Sequence, residues 1–219
     1  MIITIDGPAG VGKGTIAKII SESLGLNYLD SGAMYRALAL FAELNGVTEK
    51  DENKLKKILI DLHIRFVNKN GDERVLINTD DVTEDIRTNE ISTLASKFAA
   101  NEFVRTILRE MQRRMVKNKN FIAEGRDMGT YVFPEAEHKF YLDAELNVRA
   151  KRRAAQLKDL LGINVNENKV SIEIEERDKL DMTRSTCPLH PAEDALIIDT
   201  TDMSIEEVVA KIKLEVDDA

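Results

Sequence analysis

The stretch Gly7-Pro8-Ala9-Gly10-Val11-Gly12-Lys13-Gly14-Thr15 constrains this chain more than any other. Before it, Met1-Ile2-Ile3-Thr4-Ile5 is apolar and β-branched, the pattern of a buried strand. After it, Ile16, Ile19, Ile20 and Leu24 recur at helical spacing. A glycine-rich turn between a strand and a helix is the context of a phosphate-binding loop. Glycines let the backbone curl so that several N–H groups converge on one anion. The helix start adds free N–H groups and a positive dipole end. Lys13 supplies a mobile cation for β- and γ-phosphates, and Thr15 a hydroxyl near the phosphates or a metal. The spacing from Gly7 to Gly12-Lys13 fits the Walker A pattern, with one departure: Gly14 stands where Ser or Thr usually follows the lysine. Direct metal ligation by Thr15 is therefore left open, and Asp6 and water are equal candidates.

With 219 residues the chain has room for one full core and an inserted lobe. A net charge of −8 argues against a non-specific nucleic-acid binder, which needs a basic face. No apolar run is long enough to span a membrane, and the chain enters a strand at once without a basic leader. Its one cysteine, Cys187, allows no internal disulfide and no cysteine metal site. His63, His138 and His190 are scattered, without metal-ligand neighbours. These features lead us to expect a cytoplasmic protein with no nucleic-acid or membrane partner.

Asn27–Asp30 reads as a short strand, and Ser31, as an N-cap, opens a helix carrying Arg36. Asp51–Leu62 reads as a surface helix. His63–Val67 and Arg74–Ile77 are extended around a turn cluster at 68–72, a hairpin signal inserted into strand–helix alternation. Ile86–Ala99 and Phe103–Val116 read as helices. The first carries Ser96; the second carries Arg105, Arg109, Gln112 and Arg113 on a polar face, with Arg109 and Arg113 expected in solvent. The strand Asn120–Glu124 runs into Gly125-Arg126-Asp127-Met128-Gly129. Ligands of open α/β sheets sit beyond the carboxyl ends of strands, which makes Arg126 and Asp127 functional candidates.

His138–Asp143 is another strand. Leu146–Leu161 places Arg149, Arg152 and Arg153 on one helix face; after a polar break at 162–168, Val170–Met182 carries Arg177 and Asp181, with Arg184 in phase. Two arginine-bearing helices with a tip between them read as a mobile lid. Ala195–Asp199 is the last strand, and Ser204 with Glu207 forms a capping box on the last helix, Ser204–Val216.

Five stretches, in order, carry a resemblance over essentially the whole chain: Ile5–Thr15; Leu29-Asp30-Ser31-Gly32-Ala33-Met34-Tyr35-Arg36; Glu84-Asp85-Ile86-Arg87-Thr88; Glu124-Gly125-Arg126-Asp127-Met128-Gly129-Thr130; and Glu176-Arg177-Asp178 with Asp181 and Arg184. Gly-Lys-Gly-Thr at the loop's end resembles nucleoside monophosphate kinases more than GTPases or motor ATPases. Together the stretches resemble the bacterial cytidylate kinase family. That resemblance implies an α/β, P-loop NTPase-type fold: a five-stranded parallel sheet flanked by helices, a small antiparallel nucleoside-monophosphate lobe and a short helical lid. Placed on this chain, the core is 1–62, 86–148 and 185–219, the inserted lobe about 63–85 and the lid about 149–184.

The implied activity is transfer of the ATP γ-phosphoryl group to CMP or dCMP with Mg2+. Gly7 through Thr15, with Arg149 and Arg153, belong to the ATP side. Ser31, Arg36, Ser96, Arg105, Arg126, Asp127, Asp181 and Arg184 belong to the CMP side: Arg36 and Arg126 on its phosphate, Ser96, Arg105 and Asp127 on its base. Lys13, Arg126, Arg177 and Arg184 serve the transfer. A carboxylate such as Asp127 accepts from the cytosine amine and repels the carbonyl of uracil. The metal ligands are not assigned, and a monomer is the default. The alternatives are another small-molecule kinase on this core and a non-catalytic nucleotide sensor.

Overall fold

The computed structural model describes residues 1–69, 72–162 and 165–217. In chain order its elements are β1 (Ile2–Asp6), α1 (Lys13–Leu24), β2 (Asn27–Asp30), α2 (Ser31–Leu44), α3 (Glu52–Ile60), β3 (Ile64–Lys69), β4 (Asp72–Ile77), β5 (Asp80–Asp81), α4 (Asn89–Ala99), α5 (Glu102–Val116), β6 (Phe121–Gly125), β7 (His138–Asp143), α6 (Leu146–Leu161), α7 (Glu167–Thr183), β8 (Leu196–Asp199) and α8 (Ile205–Asp217). They fall into two compact units: Met1–Asp30 with Gln112–Ala219, and Ser31–Met111.

The first unit is built on a parallel sheet of order β2-β6-β1-β7-β8. Ile3, Thr4 and Ile5 of the central strand are fully buried, as expected for a parallel sheet covered on both faces. Ile16 and Ile20 of α1 and Val208 and Ile212 of α8 close one core with Ile122, Phe140, Leu142 and Ile198. Helix α1 stops where Gly25 turns left-handed and donates its N–H to the Ser21 carbonyl. The capping box at α8 forms as read: Ser204 Oγ accepts from the Glu207 N–H at 3.2 Å, and Glu207 Oε2 accepts from the Ser204 N–H at 2.8 Å.

The second unit holds the antiparallel sheet β3-β4-β5 and helices α2, α3, α4 and most of α5. The hairpin is paired from Ile64↔Ile77 to Lys69↔Asp72, so both strands run further than the sequence indicates. Residues 70 and 71 of the expected turn cluster lie outside the described residues. Helix α2 packs on α4 and β4, with Met34, Leu38, Ala95 and Phe98 buried.

Three local expectations change. Ser31 is the first residue of α2 rather than the residue before it, because β2 passes into α2 without a loop. The helix expected over 86–99 is broken: Asp85–Arg87 forms a 3-10 turn, and Thr88 then caps α4, its Oγ1 accepting from the Ile91 N–H at 3.2 Å. Helix α7 begins earlier than expected, at Glu167, where Asn166 caps it; residues 163 and 164 of the expected break lie outside the described residues.

Candidate functional site

The loop after β1 has left-handed backbone at Gly10 (φ 78°) and Gly12 (φ 100°), conformations that residues with a Cβ rarely adopt. Gly7 is also required for space, since a Cβ there would lie 2.1 Å from the Leu142 carbonyl oxygen. Lys13, the first residue of α1, is buried and donates from Nζ to the Pro8 carbonyl at 2.7 Å. Burial, and then the nearby Arg126 cation, pull its pKa down to about 7. Thr15, in the first turn of α1, is exposed.

The helix pair α6–α7 grips this loop at Ala9. The Ala9 N–H donates to Asp178 Oδ1 at 2.9 Å, and the Ala9 carbonyl accepts from Arg149 Nη1 at 2.9 Å. Arg149 pairs with Asp178 Oδ2 and donates from Nε to the Ala144 carbonyl at 2.9 Å. Ala150, Leu157, Val170 and Ile174 pack around Ala9. Arg149, expected on a mobile lid facing ATP, is thus buried beneath the phosphate loop, its guanidinium engaged with protein. Arg152 is likewise anchored, donating to the Thr200 and Met203 carbonyls at 2.6 and 3.3 Å. Arg153 donates to Gln156 Oε1 at 2.7 Å.

Strand β6 lies between β1 and β2, and its register sets Glu124 beside Asp30. Residues opposed in a parallel pair share a face, so the two carboxyl groups meet, with Glu124 close to Gly14 and Lys13. Burial first, and then the Asp30 charge, raise Glu124 to about 7, while Lys13 and Arg126 pull it back. Sequence reading did not single out this pair as functional.

The loop after β6 carries Arg126 and Asp127 into a buried charge network. Arg126 Nε donates to Asp181 Oδ2 at 2.9 Å, and Arg184 Nη1 donates to Asp181 Oδ1 at 3.1 Å. Arg184 Nε donates to the Cys187 carbonyl at 2.7 Å, and Nη2 stands 3.8 Å from Asp127 Oδ1. Burial opposes the Asp181 charge, but Arg126, Arg177 and Arg184 outweigh it and hold the group below the usual carboxylate range. Burial likewise opposes the Arg126 charge and is outweighed by Asp181, Glu124 and Asp178, so this guanidinium stays ionised. Arg126, Asp127, Asp181 and Arg184, four sequence candidates, are therefore brought together, with Arg177 half-buried one turn earlier on α7.

Beyond Asp127 the chain makes a short π-helical turn, Met128–Val132, in which the Phe133 N–H bonds to the Met128 carbonyl at 2.7 Å. Arg113, expected in solvent, is exposed but tied to this turn, donating to the Val132 and Tyr131 carbonyls at 2.8 and 3.2 Å. Asp6 braces the turn from below: Oδ1 accepts from the Met128 N–H at 2.9 Å and Oδ2 from the Gly129 N–H at 2.8 Å. Burial lifts Asp6 to about 6 against those two hydrogen bonds. Each Asp6 oxygen thus accepts one backbone N–H.

No cluster of three or more His, Cys, Asp or Glu is arranged to hold a metal ion among the described residues. Asp30 and Glu124 nevertheless fit Mg2+, which takes one or two carboxylates and otherwise water and substrate phosphates.

The second unit carries the remaining candidates. Ser31 is buried at the start of α2 and Arg36 half-buried in its second turn. Ser96 Oγ donates to the Ser92 carbonyl at 3.2 Å on α4. Arg105 is buried on α5, donates to the Ala99 carbonyl at 3.1 Å and lies 5.6 Å from the Tyr35 ring centroid. Gln112, read as part of a polar face, is buried in the first unit.

A parallel sheet of this order, with a lysine-bearing glycine loop at the end of its central strand and a buried arginine–carboxylate network beyond its neighbour, defines a P-loop phosphotransferase. A solved shikimate kinase from Bacteroides thetaiotaomicron agrees at the level of fold: 14% identity, TM-score 0.50, covering 99% of this chain and 98% of that one. The cytidylate kinase family matches residues 3–218. The cytidylate kinase of Carboxydothermus hydrogenoformans is 45% identical over 212 residues, 97% of this chain and 95% of that protein. The cytidylate kinase of Yersinia pestis (strain Pestoides F) is 47% identical over 208 residues, 95% of this chain and 90% of that protein. The chain belongs to the cytidylate kinase family.

Proposed function

We infer that the protein moves the γ-phosphoryl group of ATP to CMP or dCMP, releasing ADP and CDP or dCDP. The observation that carries this reading is the family match over residues 3–218, which includes both the phosphate loop and the second-substrate candidates. No observation favours a shikimate-type acceptor or a non-catalytic sensor.

We assign the roles from the chemistry of the side chains. The loop from Gly7 to Thr15 wraps the β- and γ-phosphates with backbone N–H groups. Lys13 leaves the Pro8 carbonyl for the phosphates, which favour its protonated form. Arg36 and Arg126 hold the CMP phosphate through forked hydrogen bonds. Ser96, Arg105 and Asp127 read the cytosine edge, and Ser31 serves the same nucleotide. Asp181 orients Arg126 and Arg184 and retains acceptor capacity for a sugar hydroxyl.

Asp30 and Glu124 are the carboxylates that would hold Mg2+ bound with ATP, and the ion would supply neutralisation of charge on the transferring group. An oxygen of the CMP phosphate bonds to the γ-phosphorus as the bond to the β–γ bridging oxygen breaks. That oxygen is already ionised at neutral pH, so no general base is required. Positioning by Arg126 and charge stabilisation by Lys13, Arg177 and Arg184 supply the catalysis. Arg153 completes the ATP side, whereas Arg149 acts on ATP through the loop that it supports. The enzyme works as a cytoplasmic monomer, where both substrates occur.

Asp127→Asn tests the specificity assignment. We expect kcat/KM for CMP to fall about a hundredfold or more relative to UMP, with the KM for ATP little changed. An unaltered CMP:UMP ratio would remove Asp127 from the base-reading set.

A further inference from the structure

We propose that Asp6 is a positioning residue: by holding the Met128 and Gly129 N–H groups it sets where Arg126 and Asp127 stand, and so governs discrimination for cytosine. The inference rests on the reading of Asp127 as the group that faces the base.

Asp6 ends β1, the strand that leads into the phosphate loop, and is 5% exposed. Its two oxygens are spent on consecutive N–H groups, 2.9 and 2.8 Å away, at the start of the π-helical turn. Asp127 immediately precedes them. Two adjacent donors aimed at one carboxylate fix the direction of the backbone, not merely its distance. The carbonyl of Asp127 is also fixed, accepting from the Tyr131 and Val132 N–H groups at 3.0 and 3.1 Å. The peptide group that follows Asp127 is thus held at both its carbonyl and its N–H, one bond from the Cα that carries the Asp127 side chain and two residues from Arg126.

A second feature presses the turn against β1. A Cβ on Gly129 would meet Thr4 Oγ1 at 2.9 Å and Lys139 Cδ at 3.3 Å. Glycine at 129 therefore permits the approach that Asp6 requires. Thr4 Oγ1 is buried without a hydrogen-bond partner, so removing that hydroxyl sacrifices no bond. A carboxamide at position 6 is a poor substitute, because its NH2 would face one of the two N–H donors.

The test compares Asp6→Asn, Gly129→Ala, Thr4→Ala and the Gly129→Ala/Thr4→Ala pair with the parent, each shown to fold by thermal melting. Initial rates are taken with CMP and with UMP at saturating ATP, and the KM for ATP is measured separately. We expect Asp6→Asn and Gly129→Ala each to lower the CMP:UMP ratio of kcat/KM by about tenfold or more, with the KM for ATP changing less. Thr4→Ala alone should match the parent, and in the pair it should restore most of the ratio lost in Gly129→Ala. A uniform loss with both acceptors, an equal rise in the KM for ATP, or failure of rescue would overturn the inference. If Asp6→Asn does not fold, the Gly129 and Thr4 set decides alone. Asp127→Asn run alongside separates the two ideas: if it keeps the CMP:UMP ratio, the base-reading assignment fails; if it loses the ratio while the position 6 and 129 variants keep it, only the role of Asp6 fails.

Discussion

Asp178→Ala should loosen the phosphate loop by a calculable amount. The Arg149 and Asp178 side chains are 10% and 8% exposed, so the substitution strands a buried guanidinium. Breaking such a pair costs about 3–5 kcal/mol. Arg149 keeps the Ala144 and Ala9 carbonyls, which favours the low end, but the buried Ala9 N–H also loses its acceptor. That loss adds a further penalty of about 1 kcal/mol, giving about 4 kcal/mol in all. For a chain of this length the melting temperature should fall by about 8–16 °C. Circular dichroism melts give the first readout and the KM for ATP, expected to rise, the second. Arg149→Met/Asp178→Leu removes both charges and should recover about half of the loss, since Ala9 still lacks its partners. A single variant within about 2 °C of the parent, or a double variant no more stable than the single, would refute the buried-clamp argument.

Other consequences follow from the buried charges. The Lys13 pKa of about 7 lies below its unfolded value, so the free enzyme loses this proton as pH rises through 7. ATP affinity should then weaken above pH 7 by up to about tenfold per pH unit, and Lys13→Met should flatten the profile in isothermal titration. By the same linkage the unfolded chain binds more protons at this site between pH 7 and 10.5, so the Lys13 contribution to stability rises with pH across that window. Glu124 has the opposite sign: its pKa is raised from 4.5 to about 7, so its contribution is complete below 4.5 and lost as pH rises through 7. Glu124→Gln should therefore be at least as stable as the parent above pH 7, measured by urea denaturation, while needing more Mg2+ for half-maximal rate.

The parts of the fold that depend on local chemistry were legible. A glycine-rich run with a β-branched run before it and a 3.6-residue pattern after it announces β1, the loop and α1 without reference to anything distant. Arg126 and Asp127 stand at a strand end, a position that can be read along the chain, and the structure brings them together with Asp181 and Arg184. The misses share a different cause. Glu124 meets Asp30 only through β2–β6 pairing, and Asp6 meets Gly129 only because the loop after β6 folds back on β1. Arg149 shares a helical face with Arg152 and Arg153, and periodicity describes that face correctly, but nothing in the spacing says that the face covers Ala9 and Thr200. The break at Thr88 was locally readable from its capping chemistry, but Ile86 prolonged the apolar pattern across it.

The central claim is tested most directly by ADP release from the purified protein with ATP and Mg2+ against CMP, dCMP, UMP, AMP and GMP in turn. The account predicts strong release with CMP and dCMP, weak release with UMP and none with the purine nucleotides. Release led by another acceptor would contradict the roles given to Ser96, Arg105 and Asp127, and no release with any acceptor while ATP still binds would contradict the kinase itself.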